Sequence, residues 1–142
     1  VDNCSATILR TGVPAGNVFP VGTTTVVYTA TDSGGAQTIV TQAVKVLSAT
    51  ESLQAIAADL RAIVAASTRA ALTARATDAL KKVEKAIAYL EQAPADAHQA
   101  AIRIRQAMQG IEGLMNQGLL PGAAASALLQ RLAGAAAVLS PA

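Results

Sequence analysis

The spacing of the apolar residues changes at Ser48, and no single regular element can serve both sides of that change. From Thr23 to Asp32 the side chains alternate, with Val26, Tyr28 and Ala30 on one face and Val27, Thr29 and Thr31 on the other. A period of two among β-branched residues predicts a strand with a threonine-rich outer face. Ser33, Gly34 and Gly35 supply the turn, and Thr38 to Val46 resumes the alternation with Val40, Val44 and Val46 in phase, so the pair reads as a β-hairpin. Upstream, Ala6 to Leu9 is a shorter strand, Gly12 to Gly16 a loop, and Phe19 to Gly22 the approach to the main strand.

After Ser48 the period is helical. Ser48 and Glu51 have the spacing of a capping box, in which a hydroxyl accepts from an orphan amide and a carboxylate reaches back. Leu53, Ile56, Leu60, Ile63 and Val64 form one stripe of a helix ending near Ser67. A second stripe, Leu72, Ala76, Leu80, Val83, Ile87 and Leu90, stops at Ala93-Pro94. Asp96 is placed to cap a third helix carrying Ala100, Ile104, Met108, Ile111 and Met115, closed by Gly118. Pro121 opens a fourth, with Leu128, Leu129, Leu132 and Leu139. Four amphipathic helices on short connections predict an antiparallel bundle. Alanine pairs and triplets beside the large residues favour helix and let neighbouring backbones approach.

The expected architecture is therefore α+β in two modules, a partial β-sandwich over residues 1–47 and an alanine-rich four-helix bundle over residues 48–142. With 142 residues, each core is modest. Hydrophobic residues are 52% of the chain but aromatics only 2%, so those cores must pack from small aliphatic contacts. The formal charge is +2, and no basic run gathers that excess into a patch, which argues against nucleic acid as a partner. The helical stripes are interrupted by Arg, Lys, Glu, Asp and Gln, so no membrane span is expected. The opening residues Val1 to Cys4 lack a basic segment and an apolar signal core, so the chain reads as a processed or excised piece. Cys4 has no second cysteine to pair with; it is a residual thiol, or its partner lies on another chain or upstream.

No catalytic, cofactor or metal site is expected. The only histidine, His98, sits among small residues at the start of a helix, in a different module from Cys4. One Cys and one His with scattered carboxylates do not make a zinc site. Asp2 and Asp32 are two separated carboxylates, better read as capping turns than as holding calcium. The glycines belong to turns rather than to a phosphate-cradling loop. Lys81, Lys82, Glu84 and Lys85, and likewise Arg103 and Arg105, are solvated flanks of apolar stripes.

The first segment carries Asp2-Asn3-Cys4, Phe19-Pro20-Val21-Gly22, Val26, Tyr28, Ala30 and Asp32 in an order that resembles the hyalin-repeat (HYR) family. The resemblance implies an immunoglobulin-like extracellular module associated with adhesion and matrix proteins. Two departures stand out: the family's later cysteine falls at about Val40 and its following aromatic at about Gln42, and the chain opens inside the repeat. The helical part, through Leu80-Lys81-Lys82-Val83 and the run from Gly118 to Pro121 into Ala127-Leu128-Leu129, looks like the four-helix FIMAH-type domain of secreted bacterial proteins. Together these imply a secreted or cell-surface, non-catalytic structural or adhesive module.

A full immunoglobulin-like sandwich needs about seven strands, so complementing strands are expected from elsewhere. They come from another chain, giving a homo-oligomer or an open polymer by strand addition, or from upstream domains of the same parent. A third arrangement has the bundle cover the β surface. The alternative function is an accessory binding module that tethers a secreted enzyme to a surface or carbohydrate.

Overall fold

A computed structural model describes residues 5–92 and 94–139. Contacts cluster into two units that divide between Ser48 and Ala49. The element types are those expected, three strands and four helices, so the α+β class holds.

The first unit is one antiparallel sheet in the order β1 (Thr7–Thr11), β2 (Gly22–Thr31), β3 (Gln37–Val46). The register runs unbroken, with Thr7 opposite Thr31 and Thr11 opposite Val27 on one side of β2. On its other side Thr31 stands opposite Gln37 and Gly22 opposite Val46. Asp32 fixes the hairpin turn, its carboxylate accepting from the amides of Gly34 at 2.9 Å and Ala36 at 2.8 Å. That is the turn-capping role read for it. Gly12, between β1 and the long loop, has φ +80°, and a Cβ there would lie 2.3 Å from the Thr25 carbonyl oxygen. Only glycine allows this backbone approach.

Pleating puts Val26, Tyr28, Val40 and Val44 on one face, and Tyr28 Oη donates to Gln42 Oε1 there at 3.1 Å. The valine-rich face is not, however, an interior. Val26 is 2% exposed, whereas Val44 and Val46 are only half-buried and Val40 is 59% exposed. Three strands in a single layer, the whole β content among the described residues, make no second sheet to sandwich that face. Three strands in one layer do not make up the roughly seven strands of an immunoglobulin-like sandwich.

The second unit contains α1 (Ala49–Ala66), α2 (Ala70–Glu91), α3 (Ala97–Asn116) and α4 (Gly122–Leu139). Each helix packs on its sequence neighbour, and α4 returns to α1, closing a four-helix bundle. Consecutive helices run antiparallel. Gln54 meets Glu91 while Arg61 meets Glu84, and a Cβ on Gly110 would touch Ala79 while one on Gly113 would approach Arg75. The termini follow the sequence signals. Asp96 accepts from the Gln99 amide at 2.9 Å as the N-cap of α3. Gly118, at φ +62°, ends that helix in a Schellman arrangement, Gly118 N–H to the Met115 carbonyl and Leu119 N–H to the Leu114 carbonyl. Ala93, one of the two residues expected to stop α2, lies outside the described residues.

The expected stripes form the core in α1, through Leu53, Ile56 and Leu60, and in α4, through Leu128 and Leu132, and differ in parts of α2 and α3. In α2 the fully buried line is Ala76, Ala79, Val83 and Ala86, while Leu72, Leu80, Ile87 and Leu90 sit half-buried beside it. In α3, Ala107 and Leu114 are buried where Met108 and Met115 were expected. Alanine takes most of this line in α2 because closely approaching backbones leave little room for larger side chains. The larger residues lie against the seams.

Candidate functional site

Among the described residues, no three His, Cys, Asp or Glu side chains gather where they could hold a metal ion. His98 is exposed at the start of α3. Cys4 and Asp2 lie outside the described residues. The bundle's charges pair across its surface: Arg61 with Glu84 at 2.6 Å, Lys82 with Asp78 at 2.6 Å, and Arg131 with Asp59. Exposed pairs of this kind contribute on the order of 0–1 kcal/mol. Arg103 Nη1 donates to Gln106 at 3.0 Å, but its buried Nε has no partner. Between α1 and α4 a shallow groove is lined by Ala62, Ile63, Ala124, Ala127 and Leu128, with the Asp59–Arg131 pair at its rim. It offers apolar contact and no reactive group. By length and composition alone, α4 is the one described helix apolar enough to cross a membrane; Gln130 and Arg131 occupy its middle, and Leu128 and Leu132 are buried in the bundle.

The feature with most capacity to bind is the sheet itself, because β1 and β3 are both edge strands. Hydrogen bonding at the hairpin turn fixes which backbone groups are unpaired. Asp32 N–H donates to the Ala36 carbonyl at 3.0 Å, so Thr31 and Gln37 form a wide, non-bonded pair and Ala30 and Thr38 the next bonded one. The even-numbered residues of β3 therefore bond to β2. The amide and carbonyl groups of Gln37, Ile39, Thr41 and Ala43 point to the free rim. By the same alternation β1 presents only Ile8 and Arg10 to its free rim.

Large apolar side chains sit at both rims. Ile8 is 69% and Leu9 60% exposed on β1, and Ile39 is 63% and Val40 59% exposed on β3. Register puts Leu9 and Ile39 on one face, flanking Thr29, and Ile8 and Val40 on the other. The devices that blunt an edge strand are nearly absent from β3, which has no proline, no bulge and one charge, Lys45. Alternation in the sequence assigns these side chains to faces. It does not say which amides face outward, since that depends on how the five-residue turn closes.

No family model matches the chain, and no curated protein or solved structure matches it either.

Proposed function

We propose that this chain is a non-catalytic structural or adhesive module of the cell exterior, which associates by accepting β-strands onto its open sheet. The observation that carries the reading is the edge strand β3, whose Gln37, Ile39, Thr41 and Ala43 backbone groups face its free rim and which also carries the exposed side chains of Ile39 and Val40. A rim of unpaired amides next to apolar side chains is a template for another strand: the backbone supplies affinity and the alternating side chains supply register. The extracellular placement and the immunoglobulin-like character rest on the resemblance of the first segment to hyalin repeats. Strands added at an edge widen this one layer, and addition that propagates from copy to copy yields filaments.

The test is the mass and shape of the purified chain in solution, by light scattering with negative-stain microscopy, with and without reductant. Oligomers or filaments that persist under reduction, with slowed amide exchange at Ile39, Thr41 and Ala43, are the expected result. A monomer at every concentration, with fast exchange along β3, would overturn the reading. Saturable binding of that monomer to a glycan would put the accessory binding role in its place.

A further inference from the structure

Resting on that reading, we infer that residues 12–21 form a strap latched across the Val26 face, which keeps the sheet from stacking face to face and leaves its edges as the route of association. The face is unevenly shielded. Val26 is almost fully buried, and Tyr28, Val44 and Val46 are half-buried, whereas Ile8 and Val40, on the same face toward the hairpin turn, stand open. A single layer of strands cannot bury its own face, so the Val26 end is covered by something outside the strands.

Register brings the loop there. Strand β1 ends at Thr11, opposite Val27, while β2 extends from Val26 back to Gly22 with no β1 residue beside it. The ten residues between Thr11 and Gly22 therefore run back past five residues of β2, about 17 Å of strand. Ten extended residues reach about 33 Å, which leaves slack to cross the face. The loop's side chains divide accordingly. Val13, Pro14 and Phe19 are half-buried, the only shielded apolar residues outside the strands in residues 5–47, while Val18 and Val21 are exposed.

Two features hold the strap. Gly12 fixes its start through the close backbone approach to Thr25. At its tip Asn17, with φ +58°, donates its N–H to the Pro14 carbonyl at 3.0 Å, and its Oδ1 accepts from Arg10 Nη2 at 3.3 Å. Arg10 stands opposite Tyr28, on the Val26 face, so this bond ties the tip to that face. It is one exposed hydrogen bond, which makes the strap a latch that can lift. A second sheet would pack on this face about 10 Å away, in the space the strap occupies. Lifting it adds a contiguous apolar face to the free edges and turns strand addition into layered aggregation.

Thiol labelling tests the strap on the full chain, with Cys4→Ser as background. Val26→Cys should react slowly with a soluble disulfide reagent, and Ile8→Cys, on the uncovered part of the same face, should react fast. Asn17→Gly keeps the backbone angle and removes the acceptor. It should speed Val26→Cys labelling roughly two- to tenfold, the range of one net hydrogen bond, with Ile8→Cys labelling and the circular dichroism spectrum unchanged. Phe19→Ala, scored by binding of a hydrophobic dye, repeats the test without altering Val26 and should raise the signal. In light scattering both strap variants should form larger assemblies than the parent. Val26→Cys labelled as fast as Ile8→Cys, or at a rate that Asn17→Gly leaves unchanged, with no added dye binding in Phe19→Ala, would overturn the inference. Faster labelling with assemblies of unchanged size would overturn the blocking role. A parent chain that stays monomeric at all concentrations, with labelling still accelerated by Asn17→Gly, would remove strand addition and leave the strap as the cover of the face.

Discussion

Gly110 of α3 lies directly across from Ala79 of α2: a Cβ placed on the glycine would sit 3.7 Å from the Ala79 Cβ, at ordinary van der Waals contact. The two helices therefore approach closely without being pressed together. Gly110→Ala fits, and gains about 1 kcal/mol of helix propensity. Thermal denaturation followed at 222 nm should show a higher midpoint. Gly134→Ala, with open space around the new methyl, should do the same.

Ala79→Leu tests the other side of that contact. The site is fully buried, so the extra carbons have no space, and overpacking costs about 1–3 kcal/mol. Chemical denaturation should show a lower midpoint for Ala79→Leu than for the parent chain. An unchanged midpoint would mean that the helices can separate without loss, and that alanine is not what sets their spacing.

Ile104→Ala empties a fully buried position in α3 and should cost about 2–5 kcal/mol. In a bundle this thinly packed that is a large part of the available stability, so the helical signal at room temperature is expected to fall. Val83→Ala, which removes fewer carbons, should fall between Ile104→Ala and the parent.

Arg103 offers a gain by subtraction. Its Nε is buried without a partner, and a polar group so placed costs about 1–3 kcal/mol. Arg103→Met keeps the aliphatic stem and drops the unsatisfied group, and should raise the melting temperature. A lower melting temperature would mean that the Nη1 bond to Gln106 contributes more than the orphaned Nε costs.

Gly12→Ala should destabilise the sheet. The backbone angle is one that side-chain-bearing residues rarely adopt, and the new methyl would clash with the Thr25 carbonyl. Proteolysis within the first 48 residues should accelerate, and the amides of Val26 and Val27 should exchange faster.

Much of this architecture was legible from spacing and capping chemistry. The alternation around Tyr28 placed its faces correctly, and Asp96, Gly118 and Pro121 marked helix ends because each supplies a local hydrogen bond or backbone angle that works without tertiary context. What spacing concealed was depth. Leu80 and Ala79 are adjacent in sequence, and only the distance between α2 and α3 makes the smaller one the core residue. Hydrophobicity ranks the leucine first, but helix separation is a property of the pair. The same limit applies to β3: Val40 looks interior by phase, yet burial depends on a second layer that no residue of the hairpin encodes. The outward amides of Gln37, Ile39, Thr41 and Ala43 were hidden for a different reason, since they follow from a bond between Asp32 and Ala36 rather than from side-chain pattern.

The alanines that share the bundle interior with larger aliphatic residues also bear on heat capacity. Unfolding raises heat capacity in proportion to the apolar surface it exposes, and Ala76, Ala79, Ala86 and Ala107 expose little each. The helical unit should therefore have a shallow free-energy curve against temperature, with enthalpy and entropy of unfolding that change slowly. Its stability would vary gently between cold and warm surroundings, and its melting would be broad.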